Sequence, residues 1–166
     1  RDVKMAISTD NGATFSVQTV DGGGSDVGDW ASLDKDGATL HLAYRNATTQ
    51  RISYTQSTDS GASWNAPVDI GGTDFAGGIS LDKASGGPPV VGISYFDNVN
   101  DQWEFVRSTD DGGSWDAPVV VAAGGNFPEP TSLKMDGTRA HFSYYDSVPG
   151  DLMLATSTDT GASWTT

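Results

Sequence analysis

Four near-copies of one eight-residue phrase punctuate this chain. They read STDNGATF at Ser8–Phe15, STDSGASW at Ser57–Trp64, STDDGGSW at Ser108–Trp115 and STDTGASW at Ser157–Trp164, and they start 49, 51 and 49 residues apart. A near-fixed period of this length marks a repeat architecture, in which each unit buries its apolar face only by stacking on its neighbours. The phrase has the chemistry of a tight turn. Its Asp (Asp10, Asp59, Asp110, Asp159) offers a carboxylate to nearby backbone N–H groups, and its Gly (Gly12, Gly61, Gly112, Gly161) reaches φ > 0 without a Cβ clash. The closing aromatic, Phe15, Trp64, Trp115 or Trp164, supplies an apolar surface that pins the turn to its unit. Identical residues in every unit serve a fold, whereas an active site draws different residues from different units. The four Asp are therefore read as structural.

Aligned on this phrase, the units share more. ASLDKDG (Ala31–Gly37), ISLDKAS (Ile79–Ser85) and TSLKMDG (Thr131–Gly137) correspond, and each is followed by an alternating run carrying Tyr44, Tyr95 or Tyr144. Ahead of each phrase lies another alternating run, with Val3 and Met5, Ile52 and Tyr54, Trp103 and Phe105, and Leu152 and Leu154 at matching positions. Period-two alternation predicts strands with one buried face. After the phrase, SVQTV, NAPVDI and DAPVVV read as an outer strand, and Pro67 and Pro118 suit an edge, where a missing N–H breaks no ladder bond. Each unit is thus four short antiparallel strands, A to D from the inside out, with the phrase in the C–D turn. Radial four-stranded units of this length are β-propeller blades; a β-helix or a stack of separate sheets is the alternative.

The phrase resembles the Asp box of the bacterial-neuraminidase (BNR) repeat, Ser/Thr-x-Asp-x-Gly-x-x-Trp/Phe, and all four copies keep its defining residues. The resemblance implies a sialidase-like propeller with Asp boxes at the C–D turns. Blade parts fall at 1–25, 26–73, 74–125 and 126–166, which is about three and a quarter blades and an incomplete ring. Because the chain opens at Arg1 within a blade, it is expected to be one segment of a longer array, a single propeller segment over 1–166.

Composition narrows the partners. A net charge of −13 repels phosphate backbones, which argues against nucleic acid. No stretch approaches the ~20 apolar residues of a membrane span, and the absence of Cys removes disulfides and thiolate chemistry. Turn-rich and acidic, the chain suits an extracellular protein, secreted or at a cell surface.

Function belongs on the face that carries the D–A and B–C loops, where the units differ most. The D–A loops are about 21–30, 70–79 and 122–131, and the B–C loops about 45–51, 96–102 and 145–151. Candidate ligand-face residues are Asp29, Trp30, Arg45, Arg51, Asp97, Glu129, Tyr145 and Asp146. For a sialidase, the resemblance implies three Arg clamping a sugar carboxylate, a Tyr–Glu nucleophile pair and an Asp acid/base. Of the five Arg only Arg45 and Arg51 fall in such loops, and no catalytic pattern matches at any position, so no catalytic residue is assigned. Sugar or surface binding without catalysis would use exposed aromatics: Trp30, Phe75, Phe96, Phe127 or Tyr145, with Phe75 and Phe127 aligning with Val27 as core positions. A weak calcium candidate is the Gly-rich DGGGSDVGD, with Asp21, Asp26 and Asp29; a flexible turn is the favoured reading of it, and no other cofactor is expected. His41 and His141 share a strand-B position and read as structural, and Asn46-Ala47-Thr48 matches a glycosylation acceptor. The expected role is a non-catalytic propeller module that binds a glycan or cell-surface ligand, or scaffolds, within a larger protein. The alternatives are a sialidase-like exo-glycosidase with its catalytic residues mostly elsewhere, and a repeat protein that assembles with neighbouring copies or with the rest of its own propeller.

Overall fold

The computed structural model describes residues 1–71, 76–124 and 130–166, and every regular element in them is a strand. The first sheet pairs β1 (Val3–Ile7) with β2 (Ser16–Asp21). The second holds β3 (Val27–Asp36), β4 (Thr39–Asn46), β5 (Arg51–Ser57) and β6 (Val68–Ile70) in that order. The third repeats this plan with β7 (Ala76–Lys83), β8 (Val91–Asp97), β9 (Gln102–Ser108) and β10 (Val119–Ala123). The fourth contains β11 (Ser132–Asp136), β12 (Arg139–Asp146) and β13 (Asp151–Ser157). All pairings are antiparallel. These are propeller blades. Pro67 and Pro118 each stand one residue before an outer strand, where the sheet has no further ladder to lose.

The core lies between sheets, so each blade is stable only against its neighbours. Val3, Val27, Leu42 and Tyr44 join the first and second sheets, with Trp64 packed on them. Ile52, Tyr54, Leu81, Ile93 and Tyr95 join the second and third, under Trp115. Trp103, Phe105, Leu133 and Phe142 join the third and fourth, under Trp164.

The repeated turn is built identically four times. Its Ser hydroxyl donates to the Asp Oδ1 at 2.7–2.8 Å and accepts from the Gly N–H at 2.7–2.8 Å. The residue before the closing aromatic (Thr14, Ser63, Ser114, Ser163) closes the loop, its N–H donating to Oδ1 and its hydroxyl to Oδ2. Both carboxylate oxygens are thus used within the turn. The glycines have a second duty besides φ of 94° at Gly112 and 85° at Gly161. A Cβ on Gly112 would fall into the Tyr54 hydroxyl of the preceding blade, and one on Gly161 into the Phe105 ring.

Adjacent blades are also clasped along their inner strands. Ser32 Oγ accepts from Leu81 N–H (2.9 Å) and Asp34 Oδ2 from Lys83 N–H (2.8 Å). One blade on, Ser80 Oγ accepts from Leu133 N–H (3.0 Å) and Asp82 Oδ2 from Met135 N–H (2.6 Å). The end of β3 around Asp34 is therefore also an interblade fastener. Gly12, by contrast, meets only its own Phe15. Gly12→Ala should therefore lose about 1–2 kcal/mol for its left-handed backbone, whereas Gly112→Ala and Gly161→Ala should lose a further 1–3 kcal/mol for overpacking. Denaturant unfolding of the three variants measures the gap.

Candidate functional site

The end of the sheets where strand D passes to strand A and strand B turns to strand C carries the sequence-predicted candidates. The strands run further than expected. β3 already begins at Val27, so Asp29 and Trp30 sit in a strand rather than in a D–A loop. β4 runs to Asn46, which places Arg45 in a strand as well, 8 % exposed, with only residues 47–50 left for the turn. The cause is the antiparallel register, which pairs Val27 with Asn46 and Asp29 with Arg45.

That pairing assembles a small polar site. Asp29 Oδ1 accepts from the Arg1 guanidinium at 2.7 Å, and Asp29 Oδ2 lies 3.5 Å from Arg45 Nη1. Arg45 Nη2 donates to Gln50 Oε1 at 2.9 Å. Beside them β3 bulges, its register shifting on both sides of Asp29. Trp30 takes up the bulge with φ 55° and stays 40 % exposed. The matching position of the third sheet is Gly78, at φ 62°. A tryptophan held where glycine is the natural occupant stores about 1–3 kcal/mol of backbone strain, which points to a use outside packing.

The other candidates are placed separately. Arg51 is exposed at the first position of β5. Tyr145 is 41 % exposed in β12. Asp97 and Asp146 build their own turns: Asp97 Oδ1 accepts from Val99 and Asn100 N–H, and Asp146 Oδ1 from Val148 N–H. Asn46 does the same with Thr48 and Thr49, so all three are turn formers at one repeat position. Phe96, a candidate platform for a sugar, is fully buried against Trp103, with ring centroids 4.7 Å apart, because its side of the third sheet packs on the fourth. Glu129, Phe75 and Phe127 lie outside the described residues.

The calcium candidates do not converge. Asp21 accepts from the Tyr44 hydroxyl at 2.6 Å, Asp26 is tied through its backbone to Thr48 and Ala47, and Asp29 serves the two Arg. Among the described residues no group of three or more His, Cys, Asp or Glu could hold a metal ion.

Two constellations escaped the sequence reading. Tyr95 donates a short hydrogen bond to Glu104 Oε2, and Gln102 Nε2 holds Glu104 Oε1 at 2.6 Å. This Tyr–Glu pair has the composition of a glycosidase nucleophile, but Tyr95 is wholly buried and Glu104 nearly so, between blades and closed to substrate. Its sequence signal was slight: Glu104 faces the Tyr95 position across a strand pair. The second lies at the opposite end of the second and third sheets. His41, fully buried, shares a 2.8 Å hydrogen bond between Nδ1 and the Tyr54 hydroxyl, and its Nε2 is 3.8 Å from Asp111 Oδ1. Lys83 Nζ stands 3.7 Å from Asp111 and 3.5 Å from Asp36. Burial, helped by Lys83 and opposed by Asp111, Asp34 and Asp36, holds the His41 imidazole below its ordinary 6.5. Its repeat partner His141 is exposed.

Solved structures similar to the chain include sialidases and an arabinanase. A Hadza microbial sialidase superposes with a TM-score of 0.70 at 18 % identity, over 99 % of this chain and 39 % of its own. A sialidase of Streptococcus pneumoniae gives 0.65 at 16 % identity, over 92 % of this chain and 25 % of its own. An α-L-arabinanase of Penicillium chrysogenum gives 0.62 at 16 %, over 82 % of this chain and 47 % of its own. The chain therefore spans less than half the length of these proteins, and at such identities the likeness is one of fold. No protein-family model matches the chain, and no curated protein matches it.

A neutral buried His41 stabilises the fold fully above pH ~6.5 and progressively less as pH falls below that value. Thermal melts should show Tm falling between pH 6.5 and 5 in the parent chain, with a flatter profile in His41→Gln.

Proposed function

We propose that the chain is an Asp-box propeller module, extracellular and non-catalytic, that binds carbohydrate through the bulge at Asp29 and Trp30. The observation that carries this reading is Trp30, exposed and held in a left-handed backbone beside the Arg1–Asp29–Arg45 network. An exposed indole presents a flat apolar face for the C–H face of a sugar, and neighbouring charged groups supply directional hydrogen bonds to its hydroxyls. The same end of the molecule carries Arg51 and Tyr145, on other strands, as further contacts for an extended glycan. Calcium is not required by this reading. The acidic surface and the dense hydrogen bonding of the turns suit a protein outside the cell.

Catalysis by the described residues finds no support in their geometry, since Asp97 and Asp146 spend their carboxylates on turns and the Tyr95–Glu104 pair is closed off. A second reading is favoured by one observation: the similar structures include sialidases and an arabinanase, of which this chain spans less than half. Under it, the segment is part of an exo-glycosidase whose catalytic groups lie mostly in other blades.

Binding to a panel of immobilised glycans, read alongside Trp fluorescence, tests the first reading. Trp30→Ala should weaken binding at least about thirtyfold, the roughly 2 kcal/mol of a hot-spot aromatic, with the circular dichroism spectrum unchanged. Unaltered binding by Trp30→Ala, or release of a fluorophore from aryl sialosides or arabinosides by the parent chain, would contradict it.

A further inference from the structure

Two contacts between neighbouring sheets use the same four repeat positions, and the residues on them differ in kind. Between the third and fourth sheets these positions hold Gly92 and Phe105 on one side, Met135 and Thr160 on the other. The set is closely packed, since a Cβ on Gly92 would run into Met135 Sδ and the Phe105 ring. None of these four residues titrates. Between the second and third sheets the same positions hold His41 and Tyr54, Lys83 and Asp111, and all four titrate. The first set shows that the fold can close this contact without an ionisable group, and a buried polar cluster carries a desolvation cost that an apolar one avoids. A departure from the repeat that packing does not require points to another role.

The geometry says what that role is. His41 Nδ1 lies 2.8 Å from the Tyr54 hydroxyl, whereas Nε2, fully buried, has no hydrogen-bond partner among the described residues. Asp111 Oδ1 stands 3.8 Å from Nε2 and 3.7 Å from Lys83 Nζ, just short of a bond to either. Its Oδ2 accepts from Gln56 Nε2 at 3.2 Å. A bare Nε2 lone pair turned to that carboxylate would be repelled, so the neutral ring carries its hydrogen on Nε2 and accepts from Tyr54 at Nδ1. The groups facing the ring are Asp34 and Asp36 from β3, Tyr54 from β5, Lys83 from β7 and Asp111 from the turn after β9. Three carboxylates against one ammonium suit an imidazolium, yet burial keeps the imidazole neutral at neutral pH.

We propose that these four side chains form a proton-operated contact between the second and third sheets, in which charging His41 draws the Asp111 carboxylate away from Lys83 onto Nε2 and reverses the bond to Tyr54. The proton comes from solution and ends on Nδ1. Nδ1–H then donates to the Tyr54 oxygen, and the phenolic hydrogen turns away from the ring, with Gly112 packed against the same hydroxyl. Closing the Nε2–Asp111 gap to the roughly 2.8 Å of a charged hydrogen bond moves the carboxylate by about an ångström. Asp111, at φ 62°, directly precedes Gly112, so both changes reach the glycine that seats the third sheet's turn on the second. Acid thereby reshapes this contact, while Gly92, Phe105, Met135 and Thr160 leave the next one unable to respond.

Long-range proton–nitrogen NMR of the histidine rings in the 166-residue chain, from neutral to acid pH, tests the proposal, with exposed His141 as the internal reference. His41 should be the Nε2–H tautomer at neutral pH and should titrate below His141. The Gly112 amide should shift with the His41 midpoint, and the Gly161 amide should not. Asp111→Asn should lower the His41 midpoint further and Lys83→Met should raise it, with His141 unmoved by either. The tautomer and the amide shifts are read on the parent chain, so they decide the matter even where a variant fails to fold. An Nδ1–H tautomer at neutral pH, a His41 midpoint indifferent to Asp111→Asn, or Gly112 and Gly161 amides that respond alike would overturn the proposal.

Discussion

Everything in this molecule rests on a carboxylate that never leaves its own turn. In each copy the Asp accepts a backbone N–H and two hydroxyls, and this closed circuit forces the following Gly into the left-handed region. The flat, side-chain-free surface so created is what the preceding blade packs against, with the closing Trp laid alongside. Local hydrogen bonding thereby helps set the spacing of the sheets, whose described core lies between them. The burial of Tyr54 and Phe105 follows from the turn chemistry of the next blade rather than from their own strands.

On that scaffold, the end that carries the B–C turns departs from the repeat in one place above all. The second sheet has Asp29, Trp30 and Arg45 where the third has Gly77, Gly78 and Phe96. In the third sheet the glycines relax the bulge and the phenylalanine fills the core. In the second, a charged cross-strand pair and a strained exposed indole replace both, and neither substitution improves packing. Loss of local consistency at a single position is the expected trace of a function carried by a fold that is otherwise uniform.

Much of the fold was legible because its two signals, the period of the turn phrase and the alternation of the strands, depend only on neighbours in sequence. The strand plan follows from them. What stayed hidden depends on contacts between blades. Phe96 and Tyr145 occupy one repeat position, yet Phe96 is core because its side of the third sheet packs on the fourth, while Tyr145 is exposed among the described residues. Arg45 looks like a loop residue until the pairing with Asp29 extends the strand and buries it. The clasp at Ser32 and Asp34 is invisible in the sequence, since nothing in a single strand says that its side chains accept the next strand's N–H groups. The Thr or Ser before each closing aromatic could have been found, because all four copies carry a hydroxyl there.

Titration of the turn carboxylates tests this most directly. Their hydrogen bonds, the hydroxyl at Thr14, Ser63 or Ser114 foremost, hold Asp10, Asp59 and Asp110 at about 2, down from an ordinary 3.8, and Asp159 is lowered in the same way. A depressed carboxylate stabilises the fold above its ordinary pKa and ceases to do so as pH falls through the folded one. Carbon-detected NMR of the Asp side chains across acid pH should give midpoints near 2 for all three, with the fold intact at pH 3.8. Midpoints near 3.8 would mean that the carboxylates are free in solution, and that the turn does not hold the blades as described.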